Sequence, residues 1–334
     1  MPSSRRSRRR HSGCRPSSNS FIRFPERYWP RRRRQNTMSD SSIRDVLRAT
    51  AQETLGILPM LLSRLRTQED AHRSVKFSTT NLPFLDPIPV PLHSRPAKIN
   101  VTNEDTLNAA IRIWASGDRD DPSQGRPAVL NFANSRKPGG GWMNGAMAQE
   151  EAICYRSSLA LSLHPRLYPL RTNEGLYSRY VLVVRGDMAT GHQIIDAEPD
   201  QLPVVSVLTI PALRNPELRT FRYQTSSSVP GEPSMILRDK HIFRYDEDRD
   251  ITKGKMRLAL RMAAKHGHRK LVLGALGCGV FGNPPEDIAH CWLSVLREDE
   301  FSGNRWSEVC FAVYDPKNEG NYEIFKQVLS GWEV

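Results

Sequence analysis

An apolar, partly β-branched run at Ala128–Leu130 ends in turn-forming asparagines and soon opens onto Pro138 and three consecutive glycines, Gly139, Gly140 and Gly141. That order predicts a buried strand delivering a bend to its edge, with proline stiffening the way in. Glycines without a Cβ can take positive φ and bring backbone N–H groups close to a ligand, so phosphate oxygens or a sugar would suit the surface. Gln149, Glu150 and Glu151 follow, and AICYRSSLALSL after them has near-helical apolar spacing, which puts the acids at a helix start. A glycine-rich bend alone is as often only a tight turn, and two first-turn glutamates can simply complement the helix dipole. Neither bland role needs the bend and the acid pair side by side.

The same grammar recurs in KLVLGALGCGVFGNPPEDIA, Lys270–Ala289. Leu271–Leu273 reads as a second buried strand, and Gly274, Gly277, Gly279 and Gly282 space a second loop. Asn283 is a candidate cap, Pro284 and Pro285 suit a first turn, and Glu286 with Asp287 complements the dipole. Strand, glycine loop and helix start in sequence read equally as a simple turn or as an anion site whose N–H groups could hold a diphosphate, and the spacing is neither the dinucleotide fingerprint nor a P-loop.

From LNFAN through PGGGW and NGAMAQEE to RSSL, and again at GCGVFGN, the chain resembles the poly(ADP-ribose) glycohydrolases of the smaller microbial type, which are built on a macrodomain. Tyr155 departs from the resemblance, standing where a basic residue is more usual. The resemblance implies Glu151 as the acid that protonates the departing ribose oxygen and then activates water, with Glu150 holding the substrate ribose. It also implies substrate binding by Asn134, Gly139, Gly140, Gly141 and Gln149, and a diphosphate wrapped by Gly277, Cys278, Gly279, Val280 and Phe281, with Phe281 against the distal ribose. Hydrolysis through an oxocarbenium-like transition state follows, with no cofactor and no metal. Poly(ADP-ribose), ADP-ribose and ADP-ribosylated proteins are the implied partners, and reversal of ADP-ribosylation, as in a DNA damage response, is the implied setting. A reader that binds ADP-ribose without cleaving it, or a hydrolase of another ADP-ribosyl linkage, would present much the same pocket. A glutamate beside another carboxylate in a partly dry pocket should have a raised pKa, as a general acid at neutral pH requires.

The remaining segments fit an α/β architecture. TLNAAIRIWASG reads as a helix capped by Asn103 or Thr106, and KGKMRLALRMAAKHG as one stopped by Gly267. Tyr180–Gly186, Leu202–Ala212 and Glu308–Asp315 read as strands and EIFKQVLSGW as a last helix. The alternation predicts a macrodomain-like three-layer α/β/α sandwich with a mixed central sheet. Its core is expected at 96–334. Before it, 40–95 is expected as an N-terminal helical extension, amphipathic over Ser42–Leu65 and interrupted by Gly56 and Pro59, followed by a proline-rich connector. That extension is too polar and broken to span a bilayer. In the family such a segment closes over the terminal ribose, which implies removal of ADP-ribose from chain ends.

Charge isolates the beginning of the chain. Residues 1–39 hold twelve arginines and one glutamate, +11 of the formal +12, which leaves +1 for 40–334. The basic pI therefore describes an arm, expected to be disordered. Its clusters fit non-specific contact with nucleic acid or another anionic polymer, a nuclear-localisation patch, or a mitochondrial presequence, and Met38 offers an alternative start. Its four prolines disfavour a continuous amphipathic helix, so nuclear or cytoplasmic placement is expected ahead of mitochondrial. Five widely spaced cysteines and no CxxC or HExxH predict a reduced, intracellular protein with no metal site, and a monomer is expected.

Overall fold

The computed structural model describes residues 40–65, 68–86, 88, 90–116, 125–226 and 235–334. The arginine-rich arm, with its expected disorder and polymer contacts, lies outside them. A mixed seven-stranded sheet runs in the order β1 (Ser74–Ser78), β4 (Glu174–Leu182), β5 (Val204–Ile210), β3 (Ala128–Phe132), β8 (Lys270–Leu273), β9 (Glu308–Ala312) and β2 (Ile99–Thr102). From β5 to β2 all neighbours are parallel, while β4 is antiparallel to both β5 and β1. Among the described residues, β6 (Leu218–Ser226) and β7 (Met235–Phe243) pair with each other as a separate antiparallel ribbon.

The pleat divides the central strands between two cores. Ala128, Leu130, Leu271, Leu273, Val309 and Phe311 pack on one face against α5 (Asp246–Lys265), α6 (Pro285–Leu296) and α7 (Asn321–Leu329). Val129, Val207, Val272 and Cys310 pack on the other against α1 (Asp40–Ser63), α2 (Thr106–Ala115) and α3 (Gln149–Arg156). Short α4 (Leu159–Ser162) follows α3. The three-layer sandwich is thus present, with strands apolar on both sides because both sides are covered.

Several local expectations change. α1 runs unbroken through Pro59, because burial of Leu47, Ala51, Leu58 and Leu62 along one stripe outweighs the hydrogen bond a proline removes. Gly56 meets nothing within 4 Å of a would-be Cβ and causes no break. The segment 40–95 is more than an extension, since it supplies the edge strand β1. Asp105, rather than Asn103 or Thr106, caps α2, accepting from the Leu107 and Asn108 N–H groups. No helix of the described residues is long and apolar enough to cross a membrane.

Candidate active site

β3 and β8 are parallel neighbours, so the two glycine-rich loops leave the same edge of the sheet side by side. Open α/β sheets hold their ligands at that carboxyl edge. The first loop turns through Gly139 and Gly140, both at positive φ, into a short turn at Trp142–Asn144. It then enters α3, whose first turn carries Glu150 and Glu151.

This eight-residue helix is fixed at both ends. At its start the Gln149 amide donates to Leu130 O at 2.7 Å and Thr106 Oγ1 at 3.2 Å and accepts from the Phe132 N–H at 2.8 Å. Gln149 therefore spends its side chain clamping α3 to the end of β3. At the other end buried Arg156 pairs with Asp105 and donates to Asn108 Oδ1 at 2.8 Å and Arg185 O at 3.2 Å. Register along the helix then decides where the glutamates stand.

Both acids converge on Gly140 although adjacent helical residues diverge by roughly 100°. Glu151 Oε1 accepts from the Gly141 N–H at 2.9 Å, and its Oε2 is buried without a partner among the described residues. Glu150 is 2% exposed and accepts from the Asn134 N–H at 2.7 Å and Asn131 Nδ2 at 3.4 Å. Burial pushes the Glu150 carboxyl up to about 8, against those hydrogen bonds and with the Glu151 charge adding to the rise. Glu150 is the more deeply buried of the two. The Asn134 side chain accepts from the Arg136 and Lys137 N–H groups, shaping the bend while its own N–H holds Glu150.

Tyr155 holds the loop from beneath. Its hydroxyl lies 2.7 Å from Trp142 O and 2.9 Å from Ala146 O. The residue that departs from the family resemblance thus spans the turn leading to the acids. α1 covers the same turn: Arg48 Nε donates to Asn144 O at 3.4 Å, and Thr54 Oγ1 donates to Tyr155 O at 2.9 Å.

In the second loop Gly277 has φ +77°, and a Cβ there would overlap Asn283 and Ala212. Asn283 does not cap α6, a position taken by Pro284. Its Nδ2 instead donates into the loop, to Leu213 O at 2.7 Å and Gly277 O at 3.2 Å. The loop's Phe281 carbonyl accepts from the Asn215 N–H at 2.8 Å, while among the described residues the N–H groups of Gly279, Val280 and Phe281 reach no protein acceptor. Val280 is 82% exposed at its tip. Such a run of free N–H groups ahead of a helix start is a nest for an anion. Burial pushes the Cys278 thiol up, which leaves it neutral and a poor nucleophile.

The expected residues lie on these two loops and the first turn of α3, but Gln149, expected to bind substrate, has its side chain committed to Leu130, Thr106 and Phe132. Sequence reading missed the supports: Asn131, which reaches Glu150 and Thr209 Oγ1, Asn283, and the Arg156–Asp105 pair. Asn131 stands in the quoted NFAN run but has no pattern of its own.

Residues 51–186 match the family model "Microbial-type PARG, catalytic domain", a span that includes the first loop and both acids. Among solved structures, poly(ADP-ribose) glycohydrolase from Thermomonospora curvata is similar at 27% identity and TM-score 0.63, covering 85% of this chain and 99% of that one. The same enzyme bound to the inhibitor ADP-HPD is similar at 28% identity and TM-score 0.61, with the same coverage. A mutant of the Deinococcus radiodurans glycohydrolase in complex with ADP-ribose shares the fold at 24% identity and TM-score 0.58, covering 80% of this chain and 98% of that one. No curated protein matches the chain.

Proposed function

We infer that this chain, whose residues 51–186 match the model of a microbial-type PARG catalytic domain, is a poly(ADP-ribose) glycohydrolase that cleaves the ribose–ribose O-glycosidic bond and releases ADP-ribose. The observation that carries the reading is the carboxyl pair itself. Two buried glutamates meet over Gly140, and one of their oxygens, Glu151 Oε2, is buried with no partner among the described residues.

Burial keeps a proton on Glu150, beside Glu151. Glu151 Oε2 is the oxygen placed to hand it on. As the anomeric carbon–oxygen bond breaks, that oxygen protonates the departing ribose oxygen, which leaves as a hydroxyl, and the ring takes up oxocarbenium character. Water then adds to the anomeric carbon and returns its proton to Glu151. Glu150, held by Asn131 and Asn134, orders the ribose hydroxyls. The N–H groups of Gly279–Phe281 hold the diphosphate and so fix the scissile bond over the acids. Packing of α1 on the Trp142–Asn144 turn supports a covered ribose site and attack at chain ends. The setting follows from the reaction: the protein reverses ADP-ribosylation, as a DNA damage response requires.

Release of ADP-ribose from purified poly(ADP-ribose) by the wild type and by Glu151→Gln, with ADP-ribose binding measured alongside, tests this. We expect turnover to fall by about 10²–10⁴-fold with binding kept, the range of a lost general acid. Near-normal turnover in the variant would remove Glu151 from the role. A wild type that binds without release is a reader, or cleaves a linkage that polymer lacks.

A further inference from the structure

Between β5 and α5 the chain leaves the sandwich to form the ribbon of β6 and β7, and nothing in the cleft chemistry described above uses it. Its strands are nine residues each, a length of about 30 Å at the usual rise. The ribbon is rooted in the anion loop. Asn215, just before β6, donates its N–H to Phe281 O at 2.8 Å, and Lys240 of β7 reaches Glu286 in the first turn of α6 at 2.8 Å. The Phe243 N–H donates to Asp287 Oδ2 at 2.9 Å, fastening the end of β7 to the same turn.

Register sorts the ribbon's side chains into two faces, because residues directly opposite share a face. Phe221 pairs with Lys240 and Arg219 with Ile242, so these four stand together. Phe221 is 55% exposed, too much for a core role, and Arg219 is exposed with no acidic partner among the described residues. On the opposite face Arg222 is neutralised by Asp239 at 2.7 Å. Residues 214–245 hold six lysines and arginines against three acids, within a body whose net charge from 40 to 334 is only +1. Lys240 is held by Glu286, so the exposed aromatic stands beside one cation without an acidic partner, Arg219, and near a loop of free N–H groups, a composition that takes a stackable base joined to a phosphate.

We propose that this face of the ribbon, through Arg219 and Phe221, binds the ADP-ribose unit next to the one seated in the cleft, with its adenine on Phe221 and its diphosphate on Arg219. The proposal rests on the reading of the cleft as a poly(ADP-ribose) site. It makes the ribbon a polymer-length sensor: a single ADP-ribose does not reach it, and a chain does.

The test uses the full chain carrying Glu151→Gln, so that ligand is bound without being consumed. Affinities for ADP-ribose and for a size-fractionated poly(ADP-ribose) oligomer are compared with and without Phe221→Ala plus Arg219→Ser. Thr220→Ala, on the other face, is the control. We expect the ribbon substitutions to weaken the oligomer about tenfold, the range of one lost base stack, while ADP-ribose affinity and the melting temperature stay unchanged. Unchanged oligomer affinity would overturn the proposal, as it would if the ribbon instead held a protein target. Equal weakening of both ligands would also overturn it, since the ribbon would then be supporting the cleft. An unsubstituted ribbon that binds oligomer while the cleft takes no ADP-ribose would remove the reading of the cleft and the proposal with it.

Discussion

Gly140 and Glu151 are matched so closely that a Cβ on the glycine would overlap the carboxylate, and would also press on Glu150 Oε2 at 3.1 Å. The bend exists in this form because the acids occupy the space a side chain would need. At φ +61° an alanine would also strain the backbone, by on the order of 1–3 kcal/mol. Gly140→Ala should therefore displace the acids as well as destabilise the loop. We expect polymer hydrolysis to fall about 10²-fold, the scale of an ångström-level misplacement, with a smaller loss of melting temperature. Near-normal hydrolysis in a folded variant would show that the two carboxyls need not hold this geometry.

Burial of Glu150 has a signature in pH. Its folded pKa of about 8 stands above the ordinary 4.5. Between those values the unfolded chain has lost a proton that the folded chain keeps. Its contribution to stability is complete below about 4.5 and declines as pH rises, until the folded pKa is passed. Glu150→Gln removes this dependence. Melting curves of the two proteins across pH 5 to 9 should diverge, the wild type losing on the order of a few kcal/mol relative to the variant as pH rises. Parallel curves would mean that Glu150 is ionised throughout.

Much of this site was legible because its parts are local. Apolar runs at Ala128–Leu130 and Leu271–Leu273, glycines after each and acids or prolines at the next helix start are signals carried within one segment. What was not legible depends on contacts between segments. The depth of Glu150 relative to Glu151 depends on how Asn131 and Asn134 close over it. Asn283 looks like a helix cap, but the Leu213 and Gly277 carbonyls, one of them from a distant segment, claim its amide. The ribbon was missed altogether, since LRTFRYQTS has no apolar face to announce a strand and its partner is separated by a turn-rich stretch. Pro59 misled in the other direction, because a local break was overruled by a buried stripe.

Asn283 offers an isosteric probe of the second loop. Asn283→Asp replaces an Nδ2 donor with an oxygen facing the carbonyls of Leu213, Gly277 and Phe281. Shape is kept and the sign of the interaction is reversed. Leaving such buried groups unpaired costs about 1–3 kcal/mol, more when one is charged. The variant should melt earlier and bind ADP-ribose at least about tenfold more weakly, that free energy expressed as an equilibrium ratio. Titration of ADP-ribose into both proteins checks this, and equal affinities would show that Gly279–Phe281 keep their shape without the amide.

Gly145 tests the contact between α1 and the acid-bearing loop. It has φ +78°, and a Cβ there would fall against the backbone of Arg44, with its Cα at 2.9 Å. Farther along, α1 is secured by Thr54, which donates to Tyr155 O and accepts from Arg185 Nε at 2.7 Å. Gly145→Ala should therefore lift only the first turns of the helix, a local opening rather than global unfolding. Amide hydrogen exchange over residues 40–48 should speed up while exchange in β3 and β8 does not. If α1 covers the terminal ribose, the same variant should lose its preference for chain ends, read as longer fragments among the products of polymer digestion. Faster exchange with an unchanged product pattern would separate the helix from end selection and leave it a purely structural brace on the Trp142–Asn144 turn.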